Sequence, residues 1–141
     1  MKKILKLITA LTLVMCLVFS LTACINDDWA DVEQKLVKEG YEVDVAVGKT
    51  ELTAAWASLS LVGLKAELDD IECVMDAEKG EMEILIIFCD DRDVAKSLAT
   101  QIETKKSTFM KEMGLTEDTC DYGRDGSVVY IGHNQAVKDA K

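Results

Sequence analysis

Residues 71–89 read IECVMDAEKGEMEILIIFC, and this stretch decides the fold. Two apolar runs flank Lys79-Gly80, which predicts a hairpin with a two-residue loop at that dipeptide. Pairing across this loop sets Ala77 opposite Met82 and makes one side of both strands wholly apolar, whereas a slip of one residue would mix the two sides. The apolar side comprises Ile71, Cys73, Met75, Ala77, Met82, Ile84, Ile86 and Phe88.

The second strand of this hairpin, residues 81–89, also carries Leu85 and Ile87 on its other side. Apolar residues on both sides are typical of a central strand that is covered from two directions. If one face of the sheet is bare, Leu85 and Ile87 form with Val74 an exposed apolar patch, which would mark an interface with a second copy or an envelope protein. The alternative is that the N-terminal helix covers this face.

Helix and strand patterns surround the hairpin. They predict a helix from Asp27 or Asp28 to Gly40, a strand over 41–47, a helix capped by Thr50 and running to about Val62, a long helix capped by Asp90 or Asp91 and ended by Gly114, a strand over 127–131 and a helix over 134–140. Segment 64–68 alternates, which leaves helix and strand open. Segment 115–126 is polar and rich in turn residues.

After the first helix, the order is strand, helix, strand, strand, helix, strand. This order is similar to that of the ferredoxin-like α/β plait, in which two helices cover one face of an antiparallel sheet whose inner strands are the first and third. We therefore predict a single α+β domain that has an antiparallel sheet with helices on one face and an extra N-terminal helix.

Residues 1–24 have the order of a secretory signal: three lysines, an apolar run over 7–21, and small residues before Cys24. The tetrapeptide Leu21-Thr22-Ala23-Cys24 resembles the lipobox of bacterial lipoproteins. That resemblance implies a diacylglyceryl group on Cys24, removal of residues 1–23, and an extracytoplasmic domain of residues 24–141 anchored to the outer face of the cell membrane. The alternative is an uncleaved membrane helix, since about 18 apolar residues can cross a hydrocarbon core of roughly 30 Å.

The charge of the chain excludes one class of partner. Removing residues 1–23 takes away three lysines, which leaves 13 basic and 26 acidic residues and a net charge of −13. Nucleic acid binding depends on neutralising phosphates with Lys and Arg, so we expect no nucleic acid partner. Anionic lipid also repels such a domain, so only the lipid anchor would hold it at the membrane.

Residues that could carry catalysis are few. His133 is the single histidine, and its position after Gly132 indicates a surface residue at a helix boundary. Besides the lipid attachment residue Cys24, the mature chain has three cysteines, Cys73, Cys89 and Cys120, and no Cys-x-x-Cys motif. A helix of roughly 34 Å would separate Cys89 from Cys120, so we predict no disulfide. We therefore predict no enzyme and no cofactor.

The segment 121–126 has the acids of a calcium loop at two positions, Asp121 and Asp125. Gly123 stands at the third position and Gly132 at the twelfth, where a bidentate Glu belongs, so the two aspartates are weak metal candidates. The Asp125-Gly126 dipeptide favours a tight turn between two strands.

Residues 128–132 and 135–140 resemble the tail of small secreted lipoproteins of Gram-positive bacteria, a family of uncharacterised activity. The resemblance also includes the lipobox and Gly40-Tyr41, and it implies architecture without an activity. The resulting hypothesis is a lipid-anchored extracytoplasmic lipoprotein that acts as a non-catalytic binding or accessory module. The alternative hypothesis is a lipoprotein that binds a small ligand or a divalent cation.

Overall fold

The computed structural model describes residues 23–141, so residues 1–22 of the expected signal lie outside the described residues. The chain forms a single α+β domain, which confirms the predicted class. One antiparallel sheet has the strand order β1-β2-β3-β5-β4. The strands are β1 Glu42–Val47, β2 Ile71–Lys79, β3 Met82–Cys89, β4 Cys120–Asp125 and β5 Val128–His133. The helices are α1 Trp29–Lys38, α2 Lys49–Leu61, α3 Arg92–Thr104, α4 Lys106–Glu112 and α5 Asn134–Ala140, with a 3-10 turn at Leu68–Asp70.

The β2–β3 hairpin has the predicted faces from Cys73 to Phe88, but its predicted loop is wrong. Ile71 packs in the core of the opposite face, because the register shifts between Ile71 and Cys73. Lys79 pairs with Met82, so the loop is Gly80-Glu81 and the pairs from Cys73 to Lys79 are shifted by two residues. A shift of two leaves each side chain on its original face, because side chains alternate with a period of two. Gly80 has a φ of +63° at the first position of the loop, where a type II′ turn favours glycine over lysine.

The strand order differs from that of the ferredoxin-like plait. The first strand, β1, lies at the edge and pairs with β2, whereas the plait would place it inside the sheet. The chain also has an additional strand, β4, in the segment expected to consist of turns. It pairs with β5 across the Gly126-Ser127 loop, which gives the predicted Asp-Gly turn as the tip of a hairpin. The central position of β3 is confirmed.

Helices cover both faces of the sheet, so the prediction of helices on one face is wrong. On one face, α1 and α5 pack over the apolar side of the hairpin, including Met75, Ile84 and Ile86. On the other face, α2, α3 and α4 pack over Val74, Leu85 and other apolar residues of the same strands. The first helix therefore covers the hairpin side that was expected to be the inner one.

The expected exposed interface at Leu85, Ile87 and Val74 is corrected by this arrangement. Their exposed fractions are 8%, 0% and 6%, and all three belong to the core under α2, α3 and α4. Their apolar character is therefore explained by packing within the domain.

The predicted long helix after β3 is divided into α3 and α4. Lys105 separates them with φ −105° and ψ 14°, outside helical values. Directly before Lys105, the Thr104 hydroxyl donates to the carbonyl of Thr100, one turn earlier (2.9 Å), and this kind of contact bends helices. Lys106 then forms an ion pair with Glu117 in the return loop. The break lets Phe109 reach the core as a separate segment, where it is 4% exposed.

Several helix boundaries follow the predicted caps. Asp28 accepts from the amide of Ala30 (3.0 Å), and Asp91 accepts from those of Asp93 and Val94 (2.8 and 2.9 Å). The Thr50 cap is wrong, because the N-cap of α2 is Gly48, two residues earlier. None of the helices between residues 23 and 141 has both the length and the apolar character needed to cross a bilayer.

Candidate functional site

The structure does not bring the two weak metal candidates together. Asp121 and Asp125 lie near opposite ends of β4, four residues and therefore about 13 Å apart along the strand. Asp125 is already engaged, because its carboxylate accepts a hydrogen bond from the backbone amide of Ile25 (2.9 Å). These residues therefore form no common ion site within the described chain.

The three cysteines of the domain behave as packing residues. Cys73 lies in the core under α1 and α5, whereas Cys89 lies in the core on the opposite face of the sheet. Burial raises the pKa of each of these two thiols to about 12, with smaller contributions from nearby acids. Burial also raises the pKa of Cys120. All three are protonated at neutral pH, which is unfavourable for a nucleophile.

His133 is the N-cap of α5, at the helix boundary that the sequence predicted. Its Nδ1 accepts a hydrogen bond from the backbone amide of Gln135 (3.2 Å). This contact gives the histidine a local structural role.

A groove between α2 and α4 is the best candidate for a functional site. The helix break at Lys105 sets α4 apart from α3, and the sheet forms the floor between α2 and α4. The groove encloses about 320 Å³, within the size range of ligand pockets. Its lining consists of Ala55, Ser58 and Leu59 from α2 with Val62 directly after it, Phe109 and Glu112 from α4 with Met113 directly after it, and Val74, Asp76, Glu83 and Leu85 from the sheet.

Two hydrogen bonds hold the segment that follows α2. The side-chain amide of Gln101 on α3 accepts from the backbone amide of Lys65 (2.7 Å) and donates to its carbonyl (2.9 Å). This two-bond contact fixes the chain just after α2 to α3.

Carboxylates close one end of the groove. One oxygen from each of Asp76, Glu78 and Glu83 lies within 4.8 Å of the others. The strand register produces this cluster, because Glu78 pairs with Glu83 and Asp44 of β1 pairs with Asp76. Like charges directly opposite each other destabilise a sheet.

The environment of Asp76 raises its pKa to about 7. Burial is the largest cause, followed by the charges of Glu83 and Glu78, a hydrogen bond to Glu83 and the charge of Asp44. Burial and the charge of Glu78 also raise the pKa of Glu83, while its hydrogen bond with Asp76 lowers it. The protonated Asp76 carboxyl therefore donates to the Glu83 carboxylate, and the pair holds one proton up to near-neutral pH.

The groove and the expected lipid attachment residue lie at opposite ends of the sheet. Exposed Cys24 is followed by Ile25, which is 3% exposed and bonded to Asp125 beside the β4–β5 turn. That turn is next to Phe88 of β3, since Phe88 pairs with Val128. Glu83 lies five residues back along the same strand, a distance of about 17 Å.

Sequence reasoning did not identify Asp76 and Glu83. The signal was present on the second side of the hairpin, where Val74, Leu85 and Ile87 give way to acids towards the loop. An apolar strand face that becomes acidic on two paired strands indicates a half-buried carboxylate pair. The groove itself depends on the break between α3 and α4. The apolar stripe of the predicted long helix after β3 gave no signal for this break.

Comparisons with known proteins give no relative for this arrangement. No protein-family model matches the chain, and no curated protein or solved structure matches it. Any function must therefore be argued from the geometry and the chemistry of its own residues.

The replacement Asp76→Asn tests the raised pKa of this carboxyl. The ordinary pKa is 3.8, so between about pH 4 and 7 the folded chain binds a proton that the unfolded chain releases. Ionisation of Asp76 therefore lowers the stability of the folded chain as the pH rises. The uncharged amide of the asparagine replacement resembles the protonated carboxyl. At pH 8 we expect the free energy of unfolding of the variant to be about 1–2 kcal/mol higher than that of the original chain, a difference that allows for solvent screening. At pH 4 the two free energies of unfolding should be nearly equal.

Urea denaturation at the two pH values measures this difference. Asp118→Asn provides the matched control, since it removes one charge from an exposed turn residue. The raised pKa would be refuted by an Asp76→Asn effect that is the same at pH 4 and pH 8.

Proposed function

We propose that the chain is a lipid-anchored extracytoplasmic lipoprotein whose domain is a non-catalytic binding module, and that its ligand site is the groove between α2 and α4. The observation that carries the binding function is the apolar groove with carboxylates at one end. Such a combination of apolar walls and a few polar groups is typical of ligand sites. The lipobox ending at Cys24 supports the anchor.

The spacing of the acids favours binding over acid–base hydrolysis. Pairs that cleave glycosides have their carboxyl groups about 5–5.5 Å or 6.5–9.5 Å apart, with substrate or water between them. The oxygens of Asp76 and Glu83 lie closer than that and share a proton. This geometry suits the retention of one cationic group.

The position of the groove supports its use on a tethered protein. The chain leaves the domain beside Asp125, and Ile25 packs in the core directly after Cys24. A lipid on Cys24 would hold the β4–β5 turn at the headgroups because no flexible linker intervenes. The groove, near the other end of the sheet, would stay open to the extracytoplasmic side.

Replacing Cys24 with alanine tests the lipid anchor. In a Gram-positive expression host grown with radioactive palmitate, we expect the original chain to be labelled and found in the membrane fraction. The Cys24→Ala chain should take up no label, because the thiol that accepts the diacylglyceryl group is absent. Membrane fractionation and autoradiography of the gel band measure both properties.

Cys120→Ala is the matched control and should be labelled and fractionated as the original chain. Recovery of the original chain at full precursor mass without label would contradict the lipid anchor. The same result with membrane association retained would favour the uncleaved membrane helix.

Filling the groove tests the binding site. Ala55 lines the groove on α2, whereas the neighbouring Ala54 is exposed and does not. We expect the neutral fluorescent probe 1-naphthol to bind residues 24–141 of the original chain and of Ala54→Phe. Ala55→Phe should weaken this binding at least tenfold, because the ring occupies the space of the probe.

Fluorescence titration measures the affinity, and thermal unfolding checks that both variants fold. Equal binding by the two variants would show that the probe binds outside this groove. A complete lack of binding by the original chain would refute the proposed ligand site.

Divalent-cation binding is a second candidate function, favoured by the cluster of Asp76, Glu78 and Glu83. Oxygens within 4.8 Å of one another can contact a common calcium ion at 2.3–2.6 Å. Under this alternative, calorimetry with millimolar calcium chloride should show binding that Glu78→Gln removes. Asp121→Asn should leave the binding unchanged, and the absence of heat with the original chain would refute the alternative.

A further inference from the structure

We propose that the groove selects an amphipathic monocation, an aliphatic ammonium whose hydrocarbon chain lies between α2 and α4 and whose charged head lies between Asp76 and Glu83. This proposal rests on the binding function proposed above and names the chemical class of the ligand.

The apolar part of the groove defines the tail of the ligand. Val74 and Leu85 form the floor, and Leu59, Phe109 and Met113 contribute the walls. A cavity of about 150 Å³ holds a benzene molecule, so a groove of about 320 Å³ has room for roughly a dozen non-hydrogen atoms. An alkyl chain of about eight carbons with one head group matches this volume.

The acidic end of the groove defines the head. Asp76 faces Asp44 from β1, Glu78 from its own strand and Glu83 from β3, and Glu112 of α4 also lines the groove. The residues of α2 that line the groove are uncharged. One monocation placed between Asp76 and Glu83 would replace the shared proton and relieve the repulsion between the two carboxylates.

Charge complementarity separates this ligand from similar molecules. An alkyl carboxylate of the same length would bring a further negative charge to a site that already has five nearby acids. An alkyl alcohol would use the apolar walls and leave the carboxylates without a counter-charge. A divalent ion would engage the acids and leave the walls empty, so only an amphipathic cation uses both parts of the groove.

The experiment compares three probes that share one chain length: n-octylammonium, 1-octanol and octanoate. Calorimetry at pH 8 with residues 24–141 should give an affinity for octylammonium about tenfold higher than that for octanol, consistent with a charge-assisted contact in a half-buried site. Octanoate should bind more weakly than octanol. Asp76→Asn and Glu83→Gln should each remove the advantage of octylammonium over octanol. Asp118→Asn is the matched control, since it removes one acid that lies outside the groove, and it should bind all three probes as the original chain does.

The outcomes separate this inference from the proposed function. Equal affinities for octylammonium and octanol would overturn the inference, while the binding of both probes would still support a ligand site in the groove. Failure of all three probes together with 1-naphthol would refute the site itself. Octylammonium binding that persists in Ala55→Phe would also overturn the inference, because the chain would then lie elsewhere.

Discussion

Both faces of β3 are buried, and the rest of the structure depends on this constraint. Ile84 and Ile86 point to one face and Ile87 to the other, and all three are 0% exposed. Apolar burial stabilises a fold by about 25 cal/mol per Å², so both faces must be covered for the strand to be stable in water. The chain meets this requirement by placing α1 and α5 on one face and α2, α3 and α4 on the other. The three-layer arrangement thus follows from the composition of one strand.

The same hairpin departs from apolar packing near its loop. Val74 and Leu85 continue the core, but Asp76 and Glu83 follow them on the same face and face further acids across the strands. Two apolar side chains at these positions would extend the core, so the acids reduce the stability that the fold could reach. Features of this kind are concentrated at functional sites, where local rules of folding are broken. This departure, together with the open space beside it, distinguishes the groove from the rest of the surface.

The sequence was sufficient for the local parts of the fold. The caps at Asp28 and Asp91 and the two faces of the hairpin depend on neighbouring residues, and the pattern contains this information. The strand order depends on distant parts of the chain. Pairing of β1 with β2 requires residues 48–70 to leave one end of the sheet and return to it, since Val47 pairs with Cys73. The alternation within β1 is the same for an edge and an inner position. The polar strand β4 resembles a loop because its pairing with β5 is made by the backbone.

The candidate site was harder to predict than the fold because it combines three separate features. The acid pair needs the hairpin register, the apolar wall needs Phe109 on the short α4, and the opening needs the break at Lys105. Each feature alone has an ordinary structural explanation. A membrane tether at Cys24 would add a functional reason for their combination. Amphipathic cations concentrate at anionic bilayers through both charge and hydrophobicity. The length of β3 would hold the groove about 17 Å from the attachment end, which is close to such a ligand. The negative charge of the groove would keep it away from the lipid surface.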